Sequence, residues 1–229
     1  MYEALHAHCE EADADAQVRA LVLRGAGGKA FVAGTDIAEF RAFSSGQDGL
    51  DYEATIDRIV GRLEAVAKPT VALIDGYAVG GGLALAAACD LRICTPGARF
   101  GMPIARTLGN CLSMANYARL AALIGPQRVK EVIFLAKLID GPTSLEIGLV
   151  SELLPDAAAL HARAEELART VAAHAPITLQ VTKEALRRLQ ARLGDDDIDD
   201  LIRLAYGSAD FREGMAAFLD KRTPKWSGT

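Results

Sequence analysis

The sequence is poor in cysteine, and this shortage excludes one class of protein and one class of site. Its 229 residues include only four cysteines, which are Cys9, Cys89, Cys94 and Cys111. No two of them form a Cys-x-x-Cys pair, so neither a disulfide framework nor a cysteine metal site is indicated. We predict buried free thiols and no metal site.

An excess of positive charge and a long hydrophobic run are also missing. Lys and Arg together number 25 against 30 Asp and Glu, for a net charge of −5, so we expect no nucleic-acid partner. No apolar run is long enough to cross a membrane without a charge or a turn signal, and the first six residues do not resemble a secretory signal. We therefore expect a cytoplasmic protein with no membrane partner.

Short apolar runs alternate with helical patterns in the first half of the chain. Strands are predicted at 18–23, 69–74 and 91–94, and helices at 2–14, 56–66 and 83–89. This alternation over residues 18–100 predicts parallel βαβ units. The polar stretch 44–49 is predicted to be a mobile loop. Further helices are predicted at 112–124, 126–136, 157–173, 177–191, 198–206 and 208–220, with an acidic turn at 194–197.

Two glycine-rich stretches lie where apolar runs give way to helical patterns. The first reads AGTDI at 33–37 and the second reads GYAVGGG at 76–82. Glycine at such a junction lets a ligand approach the backbone and leaves N–H groups free at a positive helix end. Two junctions of this kind can direct two N–H groups at one oxygen, as an oxyanion hole does. The alternative is that the glycines only permit tight turns and close packing.

The same stretches carry a resemblance to a known family. In order and spacing, the segments FVAGTDI (31–37), KPTVALIDG (68–76), CDLR (89–92), FGMP (100–103), GLV (148–150) and EGMAAFLDKR (213–222) resemble the enoyl-CoA hydratase/isomerase (crotonase) superfamily. The resemblance extends over nearly the whole chain. Family members usually begin with a strand hairpin before the helix that corresponds to 2–13, so the resemblance implies either a start codon assigned too late or a natural short form of the family.

The resemblance implies both an architecture and a substrate class. The expected fold is a crotonase-like α/β fold of the ClpP/crotonase type, with a spiral core of ββα units and a helical C-terminal region. The core domain is expected at 1–190 and a helical trimerisation segment at 191–229. The expected substrate is an acyl-CoA, with no cofactor besides the coenzyme A of that substrate. The expected assembly is a homo-trimer or a dimer of trimers.

The resemblance also assigns candidate site residues. The backbone N–H groups of Thr35 and Gly81 match the two oxyanion-hole donors. Positions that bind substrate or coenzyme A in the family correspond to Ala33, Asp36, Ile37, Gly80, Phe218 and Lys221. Three of these residues have structural alternatives: Asp36 can cap a helix, and Phe218 and Lys221 can belong to a plain amphipathic helix.

Two glutamates that hydratases of the family use are absent. Their positions correspond to Ala84 and Ile104 in this sequence. A pair of carboxylates supplies the general acid and the general base for adding water across a double bond. Isomerases of the family need one carboxylate to move a proton and often keep the second position, which is also lost here. We therefore predict that stabilisation of a thioester enolate is retained and that two-glutamate hydration is not.

The segment after Pro103 is unusually polar for a place that faces the acyl group in the family. Its candidate functional residues are Arg106, Asn110, Cys111, Ser113 and Asn116. Arginine can bind a carboxylate on the acyl chain, and asparagine or serine can orient a water. Cysteine can act as a nucleophile only if its pKa is lowered. The alternative is a capped helix start, in which Asn and Ser satisfy backbone groups.

Three functions stay open on the sequence alone. The first is an enoyl-CoA hydratase/isomerase-like lyase or isomerase that uses groups other than the two glutamates. The second is a different acyl-CoA enzyme, such as a decarboxylase, a hydrolase or a carbon–carbon bond lyase, with Arg106 as the carboxylate anchor. The third is a non-catalytic acyl-CoA-binding subunit.

Overall fold

The computed structural model describes residues 1–193 and 197–229 of the chain. Of the acidic turn predicted at 194–197, only Asp197 lies within the described residues. The strands are, in chain order, β1 (Leu21–Arg24), β2 (Ala30–Val32), β3 (Thr70–Ile74), β4 (Tyr77–Val79), β5 (Leu91–Cys94), β6 (Arg99–Gly101), β7 (Ile139–Asp140) and β8 (Glu152–Leu153). The helices are α1 (Tyr2–Ala14), a 3-10 helix (Ile37–Ala42), α2 (Gly46–Glu64), α3 (Gly81–Ala88), α4 (Ile104–Thr107), α5 (Met114–Phe134), α6 (Gly141–Glu146), α7 (Ala157–Ala173), α8 (Pro176–Ala191), α9 (Asp199–Gly207) and α10 (Ala209–Leu219).

The strands form two mainly parallel sheets of four. One has the order β1-β3-β5-β8 and is parallel throughout. The other has the order β2-β4-β6-β7, and its β6–β7 pair is antiparallel. Parallel neighbours require crossover connections, which α2 and α3 supply, so the predicted parallel βαβ units are confirmed.

Strand β3 lies at the centre of the first sheet and is buried on both faces. Alternate side chains point to opposite sides of a strand, so β3 contributes to two cores. Ala72 and Ile74 belong to the large core that also contains α2 and α3. Val71 and Leu73 pack instead with Leu160 of α7. Helices on both faces explain why this strand is apolar without interruption.

The prediction of a mobile loop at 44–49 is wrong, because this stretch forms the start of α2. Ser45 is the N-terminal capping residue, and the Asp48 carboxylate accepts hydrogen bonds from the backbone N–H groups of Ser44 and Ser45, both at 2.8 Å. These bonds lower the pKa of Asp48. The polar residues therefore satisfy the free N–H groups of a helix end rather than form a mobile segment.

The C-terminal helices pack on the first half of the chain through an aromatic cluster. Phe40 of the 3-10 helix contacts Tyr206 of α9 and Phe211 of α10, with ring centroids 6.5 and 5.8 Å away. Gly49 of α2 makes this packing possible, because a β-carbon there would lie 2.3 Å from the Tyr206 ring. As a result, the Tyr206 hydroxyl reaches the interior beside α2.

One helix spans two predicted ones. Helix α5 joins the helices predicted at 112–124 and 126–136, with a kink at Gly125, whose φ is 77°.

Within 1–193 and 197–229, no helix combines the length and the apolar character needed to cross a membrane.

Candidate active site

A cavity of about 170 Å³ lies between the two glycine stretches, helix α2 and the segment that leads into α5. Its wall is mostly apolar, with a few polar groups, as is usual for a small-molecule site. The residues used below that line it are Ala33, Thr35, Ile37, Tyr52, Glu53, Gly80, Gly81, Ala84, Ile104, Asn110, Asn116 and Phe218.

The two glycine stretches meet at one end of this cavity. Gly34 and Gly80 have φ values of 112° and 58°, which favour glycine. A β-carbon on Gly80 would lie 3.7 Å from the Gly34 α-carbon, and one on Gly81 would lie 3.9 Å from the Thr35 hydroxyl oxygen. Thr35 and Gly81 are therefore close neighbours, although 46 positions separate them in the sequence.

The backbone N–H groups of Thr35 and Gly81 have no acceptor among the turn, loop, cap and side-chain hydrogen bonds of the described residues. Gly81 is the first residue of α3, so its N–H lies at the positive end of a helix. Both residues line the cavity. Two N–H groups in such positions suit an oxygen atom that gains negative charge.

The Thr35 side chain links two tyrosines beside the glycine stretches. Its hydroxyl lies 3.2 Å from the Tyr2 hydroxyl and 2.7 Å from the Tyr52 hydroxyl. Burial raises the pKa of both tyrosines, so both are neutral. The Tyr2 hydroxyl would lie 2.2 Å from a β-carbon on Gly81, which explains why glycine is needed at that position.

The remaining residues assigned to the glycine stretches divide into two groups. Ala33, Ile37 and Gly80 line the cavity. Asp36 is not among the lining residues, and its carboxylate accepts a hydrogen bond from the Ala38 backbone N–H at 2.9 Å. It caps the 3-10 helix, so the structure favours the capping alternative for Asp36.

The positions of the two missing glutamates form part of the cavity wall. Ala84 and Ile104 both line it and are almost fully buried. Their side chains cannot donate or accept a proton. This part of the wall is apolar where the hydratases of the family present carboxylates.

A carboxyl group that the sequence analysis missed enters the cavity from α2. Glu53 is only 4% exposed. One of its oxygens accepts a hydrogen bond from the Tyr206 hydroxyl at 2.6 Å, and the other accepts one from the Ser113 backbone N–H at 3.0 Å. Burial raises the pKa of Glu53 to about 7, and the nearby Asp57 carboxylate contributes in the same direction.

The sequence does contain a signal for Glu53. It precedes Ile56 by three residues, Val60 by seven and Leu63 by ten, so a helix that begins before the predicted 56–66 places it on the same face as these apolar residues. A glutamate on an apolar helix face is unusual, because charged residues are rarely buried without partners.

Three polar residues after Pro103 lie at or near the cavity. Asn110 and Asn116 line it. The Asn110 side-chain N–H group donates to the Tyr206 hydroxyl at 3.1 Å, and its carbonyl oxygen is buried without a hydrogen-bond partner. Ser113 caps α5 and donates its hydroxyl to Asp57 at 2.7 Å, as the capped-helix alternative predicts.

The structure gives no support to the roles considered for Arg106 and Cys111. Arg106 is exposed on α4 and does not line the cavity, so it is not positioned to bind an acyl carboxylate there. Burial raises the pKa of Cys111 to about 12, and Glu53 adds to the increase. A nucleophilic cysteine needs a lowered pKa, so this environment does not favour that role for Cys111.

The two residues expected to contact the coenzyme A nucleotide are placed differently. Phe218 of α10 lines the cavity and is half exposed, so it lies where the cavity opens to solvent. Lys221 follows α10, is exposed and does not line the cavity. Their contact with coenzyme A stays a prediction.

Comparison with known proteins identifies the family. The family model described as enoyl-CoA hydratase/isomerase matches residues 1–229. The short-chain-enoyl-CoA hydratase of Clostridium acetobutylicum is 33% identical over 220 residues, which are 93% of this chain and 81% of that protein. The 2,3-dehydroadipyl-CoA hydratase of Escherichia coli is 33% identical over 228 residues, covering 96% and 85% of the two chains.

Solved structures agree with this result and with the expected fold. A methylmalonyl-CoA decarboxylase in complex with 2-nitronate-propionyl-CoA has a TM-score of 0.90 and 28% identity, covering 100% of this chain and 88% of that one. An enoyl-CoA hydratase/carnithine racemase from Magnetospirillum magneticum has a TM-score of 0.78 and 29% identity, covering 100% and 86%. The crotonase-like fold is thus confirmed, and the chain belongs to the enoyl-CoA hydratase/isomerase family of acyl-CoA-processing enzymes.

Proposed function

We propose that the thioester carbonyl of an acyl-CoA binds with its oxygen between the N–H groups of Thr35 and Gly81. Removal of a proton from the α-carbon then moves negative charge onto this oxygen, which forms an enolate. Two fixed N–H donors lower the barrier to such a step by several kcal/mol, typically about 3 kcal/mol per donor. The observation that carries this proposal is the pair of unpartnered N–H groups at the junction of the glycine stretches.

We further propose that the reaction is of the isomerase type and shifts a carbon–carbon double bond along the acyl chain. Hydration by the two-carboxylate route needs an acid and a base at the same time. Ala84 and Ile104 are apolar, and Glu53 is the one carboxyl group among the described lining residues. One carboxyl group is sufficient for a double-bond shift, because the proton that it removes is returned to another carbon.

Exchange of the α-protons of butyryl-CoA with deuterated water tests enolate formation without requiring a full reaction. We expect exchange with the wild-type protein. Thr35→Pro removes the N–H donor, so exchange should fall by about 100-fold or more. Thr35→Val is the matched control, since it removes only the hydroxyl and keeps the N–H. Equal exchange rates in the wild-type protein and Thr35→Pro would contradict the proposed oxyanion hole.

Decarboxylation is a second candidate, since it also proceeds through a thioester enolate. It is favoured by the apolar wall at Ala84 and Ile104, because an apolar site destabilises a carboxylate relative to the CO₂ that it releases. The similar methylmalonyl-CoA decarboxylase structure gives the reaction a precedent on this fold. Release of CO₂ from methylmalonyl-CoA, faster than the double-bond shift of any 3-enoyl-CoA, would favour this candidate.

We also propose that the chain assembles as a homo-trimer or a dimer of trimers and acts in the cytoplasm. Helix α8 exposes Ile177, Val181, Leu186 and Leu189, and α9 exposes Leu201 and Leu204. Large apolar side chains in such number on the surface often mark an interface between subunits. Light scattering on the purified protein measures the assembly, and a monomeric mass would contradict it.

A further inference from the structure

We propose that Glu53 is the catalytic acid–base group of this enzyme and carries the proton between two carbons of the acyl chain. The inference rests on the proposed function, because it names the group that moves the proton in that reaction. It also assigns the chemistry to helix α2, and not to the two positions that are Ala84 and Ile104 in this chain.

Glu53 is buried at the cavity wall, and its oxygens keep free lone pairs for a ligand. It lines the same cavity as Thr35 and Gly81, and 4% of its surface is exposed. Each of its two oxygens accepts one hydrogen bond from the protein, from Tyr206 and from Ser113 respectively. A carboxylate oxygen has two lone pairs, so each oxygen keeps one for a proton.

A chain of hydrogen bonds fixes the direction of these contacts. The Asn110 side-chain N–H can only donate, so it donates to the Tyr206 oxygen at 3.1 Å, and Tyr206 in turn donates to Glu53. Ser113 is held by Asp57, to which its hydroxyl donates at 2.7 Å. Tyr206 and Ser113 are therefore positioning residues for the carboxyl group.

A second polar atom in the cavity also points to a ligand. The carbonyl oxygen of Asn110 is buried and has no hydrogen-bond partner, although Asn110 lines the cavity. A buried acceptor without a donor is costly, by about 1–3 kcal/mol. A substrate or water that enters the cavity and donates to this oxygen would remove that cost, directly beside the Tyr206–Glu53 pair.

The charges around Glu53 explain why it can both take and give a proton. Tyr52, Tyr117 and Tyr206 are neutral, because burial raises the pKa of each hydroxyl. Cys111 is neutral for the same reason. The charged neighbour is Asp57, which lies 3.9 Å from the Arg119 guanidinium, and Arg119 also pairs with Glu64 at 3.0 Å.

No Lys, Arg or His appears among the described residues that line the cavity. The pKa of Glu53 is therefore raised to about 7 by burial and by Asp57, against the smaller lowering by Tyr206 and Ser113. An acid–base group works best when its pKa is close to the operating pH, so Glu53 exists in both forms near neutrality.

The proposed step is balanced in atoms and electrons. The Glu53 carboxylate takes a proton from the α-carbon of a 3-enoyl-CoA, and the electrons of that C–H bond form a dienolate whose oxygen faces Thr35 and Gly81. The protonated Glu53 then gives the same proton to the γ-carbon. The double bond moves into conjugation with the thioester, and no water is consumed.

Conversion of 3-hexenoyl-CoA to its conjugated isomer, followed by absorbance, tests the inference. Glu53→Gln should lower kcat by about 10³-fold, within the range found for general acid–base groups, with KM changed only a few-fold. Glu53→Asp should recover part of the activity. Asp51→Asn is the matched control, because Asp51 is an exposed carboxylate on the same helix.

A pH profile distinguishes a catalytic role from a structural one. We expect kcat of the wild-type protein to rise through an inflection near pH 7, which matches the pKa of Glu53. Tyr206→Phe removes a hydrogen bond that lowers this pKa, so its inflection should move to higher pH. This readout needs no change at Glu53 itself and applies even if Glu53→Gln does not fold.

Three results would overturn the account: the first two would exclude Glu53 as the proton carrier, and the third would exclude the proposed function. If Glu53→Gln is folded and keeps kcat within about threefold of the wild-type value, below the effect of any general acid–base group, Glu53 is not the proton carrier. An inflection that stays in place in Tyr206→Phe likewise excludes Glu53 as the proton carrier. If the wild-type protein shows neither the double-bond shift nor α-proton exchange, the proposed function itself is wrong.

Discussion

Burial of Glu53 should make the stability of the protein depend on pH in a way that Glu53→Gln abolishes. The pKa of Glu53 is raised from 4.5 to about 7 in the folded protein. At 1.36 kcal/mol for each pKa unit, the two protonation states differ by about 3 kcal/mol in their effect on folding. Because the folded state binds the proton more tightly, this stabilisation is complete below pH 4.5 and is lost as the pH rises through about 7.

Glutamine cannot titrate, so the variant lacks this dependence. Its amide keeps the size of the side chain and leaves one of the two donors, Tyr206 or Ser113, without an acceptor, which adds a cost that does not change with pH. Relative to Glu53→Gln, the wild-type protein should therefore lose about 3 kcal/mol between acidic pH and pH above 7. Asp57 is present in both proteins, and burial raises its pKa as well.

Urea unfolding followed by circular dichroism measures this difference at a series of pH values. The free energy of unfolding of each protein is extrapolated to water at every pH, and the two are subtracted. Asp51→Asn serves as the control, because it removes an exposed charge from the same helix. A difference between wild type and Glu53→Gln that is constant from acidic to alkaline pH would refute the buried, high-pKa description of Glu53.

Three further predictions concern Gly49, the buried cysteines and Arg106. Gly49→Ala should lower the free energy of unfolding by about 1–3 kcal/mol, measured by urea unfolding, because a β-carbon would lie 2.3 Å from Tyr206. Gly61→Ala is its control on the same helix, since its β-carbon would lie no closer than 3.8 Å to a neighbour. Cys89 and Cys111, whose pKa values burial raises to about 12, should react slowly with a thiol reagent at neutral pH until the protein is unfolded. Arg106→Ala should leave the Kd of methylmalonyl-CoA unchanged, because Arg106 is exposed outside the cavity, and a large increase in Kd would support Arg106 as the carboxylate anchor.

Much of the fold follows from local sequence patterns. The strand at 91–94 and the helix at 157–173 have the predicted bounds. The strand is a short, mostly apolar run after Asp90, and the helix is a long helical repeat that begins after Asp156. The sequence analysis gives no bounds for β2, which directly precedes the first glycine stretch, and does not predict β4 or β6. Each has three residues, which is too short for an alternating pattern, and β4 lies within the second glycine stretch.

The features of the site that depend on the local chain could be predicted, and those that depend on long-range packing could not. The glycine stretches could be identified because backbone N–H chemistry depends on the local chain. The environment of Glu53 could not be predicted, since its partner Tyr206 lies 153 positions away and is brought close by the packing of α9 on α2. The role of Arg106 stays a prediction that residue type alone suggested, because its side chain is exposed on α4 and does not line the cavity.

The measurement that tests the account most directly compares two reactions of the same protein preparation. One assay follows the rise in absorbance as 3-hexenoyl-CoA becomes a conjugated thioester. The other follows the fall in absorbance as the conjugated thioester crotonyl-CoA is hydrated. The account predicts a double-bond shift that is much faster than hydration and that Thr35→Pro abolishes. Rapid hydration of crotonyl-CoA, equally lost in Thr35→Pro, would contradict it and would show that water is activated without the two glutamates.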